Sequence, residues 1–113
     1  MTKKPQSPGT QLVVFLVATV GMRDAIKVAT FLVQWGTVAR KLQREPTWPE
    51  FCAYWNESKS TYFRALRLHR KVWPEDKSPQ RRWEWVEANV KIPRGASVDD
   101  AANALLLAGG VPT

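Results

Sequence analysis

Between Met22 and Leu42, apolar residues return at steps of three and four: Ala25, Val28, Ala29, Leu32, Trp35, Ala39 and Leu42. A helix gathers that spacing onto one stripe, with Lys27, Gln34, Arg40 and Lys41 falling mostly off it. The stretch is therefore predicted to be the scaffold helix of the domain. Gly36 interrupts the pattern at a cost of about 1 kcal/mol against alanine, and marks either a close helix crossing or a bend.

Start and stop signals cut the remaining chain into short helices. Arg44-Glu45-Pro46-Thr47 breaks it first. Thr47 then caps a helix over Trp48–Trp55, with Pro49 in the first turn and Glu50 completing a capping box. Asn56-Glu57 makes a turn, asparagine being one of the few residues that tolerates a left-handed backbone. Ser58 caps a helix that runs to about Trp73, where Pro74 ends it. Ser78-Pro79 restarts a helix through about Val90, and Ile92-Pro93-Arg94-Gly95 is a linker. Ser97 caps a last helix over Val98–Ala108, with Asp99 and Asp100 in its first turn and Gly109 just beyond its end. Pro74–Pro79 is too short for a two-stranded wing. The expectation is a compact all-α domain, with a winged-helix-like arrangement as the lesser alternative.

Upstream, Gln11–Val20 fits two states. Its β-branched content suits a strand, and its apolar positions suit a helix buried all round. A helix is expected, since no other segment offers a partner strand. Residues 1–9 and 109–113 read as flexible ends, which leaves 10–108 as a single domain. Six tryptophans and a 44% hydrophobic share supply one core and exclude wholesale disorder.

Several function classes fall away. One cysteine, Cys52, and one histidine, His69, exclude an internal disulfide and argue against a zinc site. His69 is read as an exposed helix residue. No phosphate-cradling glycine loop or nucleophile–base pair points to an enzyme, and no cofactor, metal or small-molecule ligand is indicated. The apolar run Leu12–Val20 is too short to span a bilayer, and the residues after it make no good cleavage site. A cytoplasmic location without membrane attachment is expected.

The charge is concentrated. Lys59, Arg64, Arg67, Arg70, Lys71, Lys77, Arg81 and Arg82 face only Glu75 and Asp76 in the 24 residues from Lys59 to Arg82, so this segment carries +6 of a chain total of +7. A solvated surface is the ordinary reading of a charge run, but concentration on one element favours a polyanionic partner.

Two short helices joined by a tight turn need a small residue near their crossing, a turn residue that accepts positive φ, and facing apolar side chains. Cys52, Asn56, and the set Phe51, Trp55, Tyr62 and Ala65 meet those needs. Ser58-Lys59-Ser60-Thr61-Tyr62-Phe63-Arg64-Ala65-Leu66 resembles the second helix of the helix-turn-helix DNA-binding family, and the resemblance covers residues 47–73, about a quarter of the chain. Glu57 departs from it, standing where the family usually places an apolar residue. The resemblance implies a bacterial or phage regulator whose helix over about 58–73 enters the major groove of double-stranded DNA. Ser58, Lys59, Ser60, Phe63, Arg64 and Arg67 would point outward. Arg64 is the expected base reader, since a guanidinium bonds guanine O6 and N7 together. Lys59, Arg67, Arg70, Lys71, Arg81 and Arg82 would mainly meet phosphates. Ser58 and Ser60 offer phosphate hydrogen bonds, with Ser58 at least as well explained as a cap. For Phe51, Trp55 and Tyr62 core packing is favoured over base stacking; for Phe63, core packing and contact with a thymine methyl are evenly matched. The apolar C-terminal helix either covers the core or pairs two copies into a homodimer. The competing function is a helical adaptor that binds an acidic partner protein.

Overall fold

The computed structural model describes residues 8–92 and 95–110, with side chains from 18 to 92 and from 95 to 105. The described residues form helices α1 (Pro8–Leu42), α2 (Trp48–Trp55), α3 (Lys59–Val72), α4 (Gln80–Asn89) and α5 (Val98–Gly110), with no strand among them. The domain is all-α. Residues 74–79 form a turn between α3 and α4, not a wing. Of the two ends expected to be loose, residues 1–7 and 111–113 lie outside the described residues, while Pro8 and Gly9 open α1 and Gly109 and Gly110 close α5.

The segment over 11–20, balanced between strand and helix on sequence grounds, is helical. It is separated from the rest of α1 by Gly21, whose φ of 84° and ψ of 165° are not helical. That backbone region is open essentially to glycine alone. α1 is thus two helical segments meeting at a kink, and the second ends where Gln43 takes a positive φ of 55°.

From Ala25 to Ala39 the scaffold helix is buried well beyond the single predicted stripe, because α1 packs against each of the other four helices. Ala25, Val28, Ala29, Leu32, Trp35 and Ala39 are buried as expected, and Phe31, Val33 and Val38 join them. Phe31 centres an aromatic cluster, edge-on to Phe51 at 5.4 Å, Tyr62 at 5.8 Å, and Trp35 and His69 at 6.5 Å. Such pairs contribute about 0.5–1.5 kcal/mol each beyond the area they bury. Two indole N–H groups tie the layers together, Trp35 donating to Gln80 Oε1 at 3.0 Å and Trp55 to the Gln34 carbonyl at 3.1 Å.

Gly36 marks a close crossing and not a bend. A Cβ at this position would lie 2.1 Å from the Trp83 ring, so α4 reaches α1 only because hydrogen occupies the place of a side chain. α5 lies along α1 with Ala101, Ala102 and Leu105 buried, and Ser97 Oγ accepts the Asp100 N–H at 3.1 Å as its cap. Its apolar face covers the core. At α4 the expected cap is displaced by one residue: Pro79 holds the N-cap position, while Ser78 Oγ takes the Gln80 N–H at 3.4 Å. None of the described helices is long and apolar enough to cross a membrane.

Candidate nucleic-acid interface

α2 and α3 are placed by the turn between them. At the start of α2, Glu50 Oε1 accepts the Thr47 N–H at 3.0 Å and the Thr47 hydroxyl at 2.9 Å. The Arg44 guanidinium grips the same carboxylate from outside. Its hydrogen bond, helped by those of Thr47, draws the Glu50 carboxyl down to about 2. At the other end Asn56 adopts the left-handed conformation (φ 53°, ψ 46°), and the Glu57 N–H returns to the Cys52 carbonyl at 3.0 Å. Ser58 then caps α3 by accepting the Thr61 N–H at 3.1 Å. The residue pattern that suggested a tight two-helix turn therefore forms one, with Glu57 half-buried in it. Burial, then the charge of Glu57, pushes the Cys52 thiol up and keeps it protonated.

α3 has two distinct faces. Tyr62, Leu66, His69 and Val72 are buried. Ser60, Arg64, Arg67 and Lys71 are exposed, and at ~100° per residue they fall within about 60° of arc on the opposite side. No acidic group among the described residues pairs with Arg64, Arg67 or Lys71. Lys59, the first residue of α3, holds its ammonium 4.8 Å from the Trp48 ring and 5.8 Å from that of Phe63. Phe63 is half-buried, and Arg81 is exposed at the start of α4.

The other two candidate phosphate contacts are engaged internally. Arg70 donates to the backbone carbonyls of Asp76 at 3.3 Å and Lys77 at 2.8 Å. Arg82 donates through Nε to Asp76 Oδ2 at 2.8 Å and through its terminal nitrogen to Glu75 Oε1 at 2.5 Å, with its guanidinium 4.9 Å from the Trp73 ring. Between them they hold the 73–79 turn against α3 and α4.

His69 corrects the expectation of an exposed residue. It is fully buried, with Nε2 3.2 Å from Asp76 Oδ2. A helical position within a basic run suggested exposure, but His69 lies three residues after Leu66 on the buried seam. Burial lowers its pKa from the ordinary value despite the opposing pull of Asp76, so the ring is neutral near pH 7. Asp76, whose side chain is only 1% exposed, is thus the hub for His69 and Arg82.

Sequence reasoning missed two surface aromatics. Trp48 and Tyr54 are 37% and 42% exposed, and each carries a lysine ammonium over its ring, Lys59 and Lys41 respectively. A tryptophan at the first position of a helix, beside a capping residue, was the available signal for Trp48. Comparison with known proteins finds no matching family model, no matching curated protein and no matching solved structure.

Proposed function

We propose that the protein is a sequence-specific, double-stranded DNA-binding regulator of bacterial or phage type, acting in the cytoplasm with α3 in the major groove. The observation that carries this reading is the outer face of α3: Ser60, Arg64, Arg67 and Lys71 in one exposed row, free of described carboxylates, directly after a tight turn. Arg64 and Ser60, near the N-terminus of α3, would reach base edges, while Arg67, Lys71, Lys59 and Arg81 would meet phosphates. Arg70 and Arg82 would act indirectly, by fixing the turn that follows α3.

Binding without catalysis is part of the proposal. The chain's one histidine is sealed in the core, and its one cysteine is held protonated, which supports a binding role. Pairing of two copies through α5 would have to use residues other than Ala101, Ala102 and Leu105, since α1 covers these. The alternative, an adaptor for an acidic protein, draws on the exposed Tyr54, Met22 and Ile26.

Fluorescence anisotropy of a labelled generic duplex at about 50 and about 200 mM salt tests the reading. Affinity should fall steeply with salt, by about 0.9 of log–log slope per phosphate neutralised. Arg64→Glu should abolish it. No association at the lower salt would turn the assignment towards the adaptor.

A further inference from the structure

The basic row on α3 does not account for the aromatic pair beside it. Phe63 lies on the same outer half of the helix, with Lys59, Ser60 and Arg67 as its surface neighbours at four, three and four residues' separation. The inner seam is formed by Tyr62, Leu66, His69 and Val72, and Phe63 packs against its edge while part of its ring stays in solvent. Its ring is held between two others: Tyr62 stands perpendicular to it at 5.0 Å, and Trp48, from the start of α2, lies 6.0 Å away. Trp48 is itself more than one-third exposed. Lys59 spans both rings with its ammonium, which restrains a flexible cation at the edge of the same patch.

A partly exposed phenyl ring set beside Lys59 and Arg67 can neither bond a phosphate nor complete a hydrogen bond to a base edge. The apolar group that base edges present in the major groove is the 5-methyl of thymine. Resting on the DNA-binding reading above, we propose that Phe63, braced by Trp48, recognises the thymine 5-methyl group, with Lys59 and Arg67 holding the phosphates on either side. The bracing matters because a ring already fixed by two neighbours loses little freedom on contact. Phe63 is thus a specificity-determining residue, Trp48 a positioning one, and the sites preferred by this protein contain a thymine next to the step read by Arg64.

Alternating poly(dA-dT) and poly(dA-dU) duplexes differ only in that methyl group and serve as the probes. The intact protein should bind the thymine polymer about fourfold more tightly at about 50 mM salt, the factor expected for burying one methyl group. Phe63→Ala should bring the ratio to about one through a loss on the thymine polymer, whereas Arg64→Ala should leave the ratio near fourfold. Trp48→Ala, at the exposed start of α2, should shrink the ratio too, and it tests the patch independently if Phe63→Ala fails to give a cooperative thermal melt. Equal, salt-sensitive binding to both polymers by the intact protein would overturn the inference and leave the DNA reading standing. A preference that survives both Phe63→Ala and Trp48→Ala would overturn it as well. Absence of binding to either polymer would overturn the inference, and the anisotropy measurement on the generic duplex, which holds the guanines these polymers lack, would then decide the DNA reading separately.

Discussion

Two groups of cations share the segment from Lys59 to Arg82, and the fold employs them in opposite ways. Arg64, Arg67 and Lys71 stand in solvent on the outer face of α3, with no described carboxylate paired to them. Arg70 and Arg82 turn towards the 73–79 loop, where the first holds two backbone carbonyls and the second a buried carboxylate. In the sign of their charge the two groups are alike. The difference lies in what is within reach: Asp76, Glu75 and the carbonyls of a tight turn complete the inner pair, and the outer row has no carboxylate partner among the described residues. A charge run thus gives the sign of a partner, whereas which cations remain free for it depends on where acceptors fall in space.

The sharpest way to break this division is to remove an inner cation. Arg82→Ala would strand Asp76, whose side chain is 1% exposed, beside a neutral imidazole. Breaking a buried pair costs 3–5 kcal/mol, and because Arg82 itself is 21% exposed the expected loss is about 3 kcal/mol in urea unfolding. No change in stability would place Arg82 with the outer group. The converse change, Arg64→Ala with Arg67→Ala, should leave unfolding within about 0.5 kcal/mol while weakening duplex binding by roughly 100-fold. Equal damage to folding would merge the two groups. Next in size is Ser58→Ala, which deletes the cap that sets where the outer row begins and should cost about 1 kcal/mol in the same unfolding experiment.

The smallest expected effect concerns protons. Burial holds the His69 ring neutral below its ordinary titration range, so the unfolded chain binds a proton more readily than the native one. Stability is then fully present above pH ~6.5 and declines as the pH falls below it. Thermal melts at about pH 7.5 and 5.5 should differ in that direction, and a flat profile would show that the inner network accepts a proton without loosening.

Much of the architecture was legible because local rules and tertiary packing agree. Thr47, Ser58 and Ser97 delimit helices by hydrogen bonds to residues three further on, Pro74 does so by having no N–H to continue one, and Asn56 takes the left-handed turn its side chain permits. What was not legible depends on non-local company. Phe31 and Val38 lie off the predicted stripe because a helix surrounded by four others has no solvent side for much of its length. His69 looked like one more polar residue on a basic helix until Asp76, seven residues on, was seen to return beneath it. Trp48 stands in the sequence only as the first residue of a capped helix, and its place beside Phe63 and Lys59 follows from how the turn at Asn56 folds α2 against α3. Periodicity finds what a helix hides, but not which exposed rings gather on neighbouring elements.

Gly21 carries a consequence of another kind. A Cβ there would meet nothing within 4 Å among the described residues, so they leave space for a larger side chain. The obstacle is the backbone, since φ 84° with ψ 165° strains any L side chain. Alanine would relieve that strain by restoring an unbroken helix. The 13 residues before it form an arm about 20 Å long at ~1.5 Å per residue, and a straight helix would point that arm elsewhere. A single methyl group, clear of every described neighbour, would change the direction in which this first segment points.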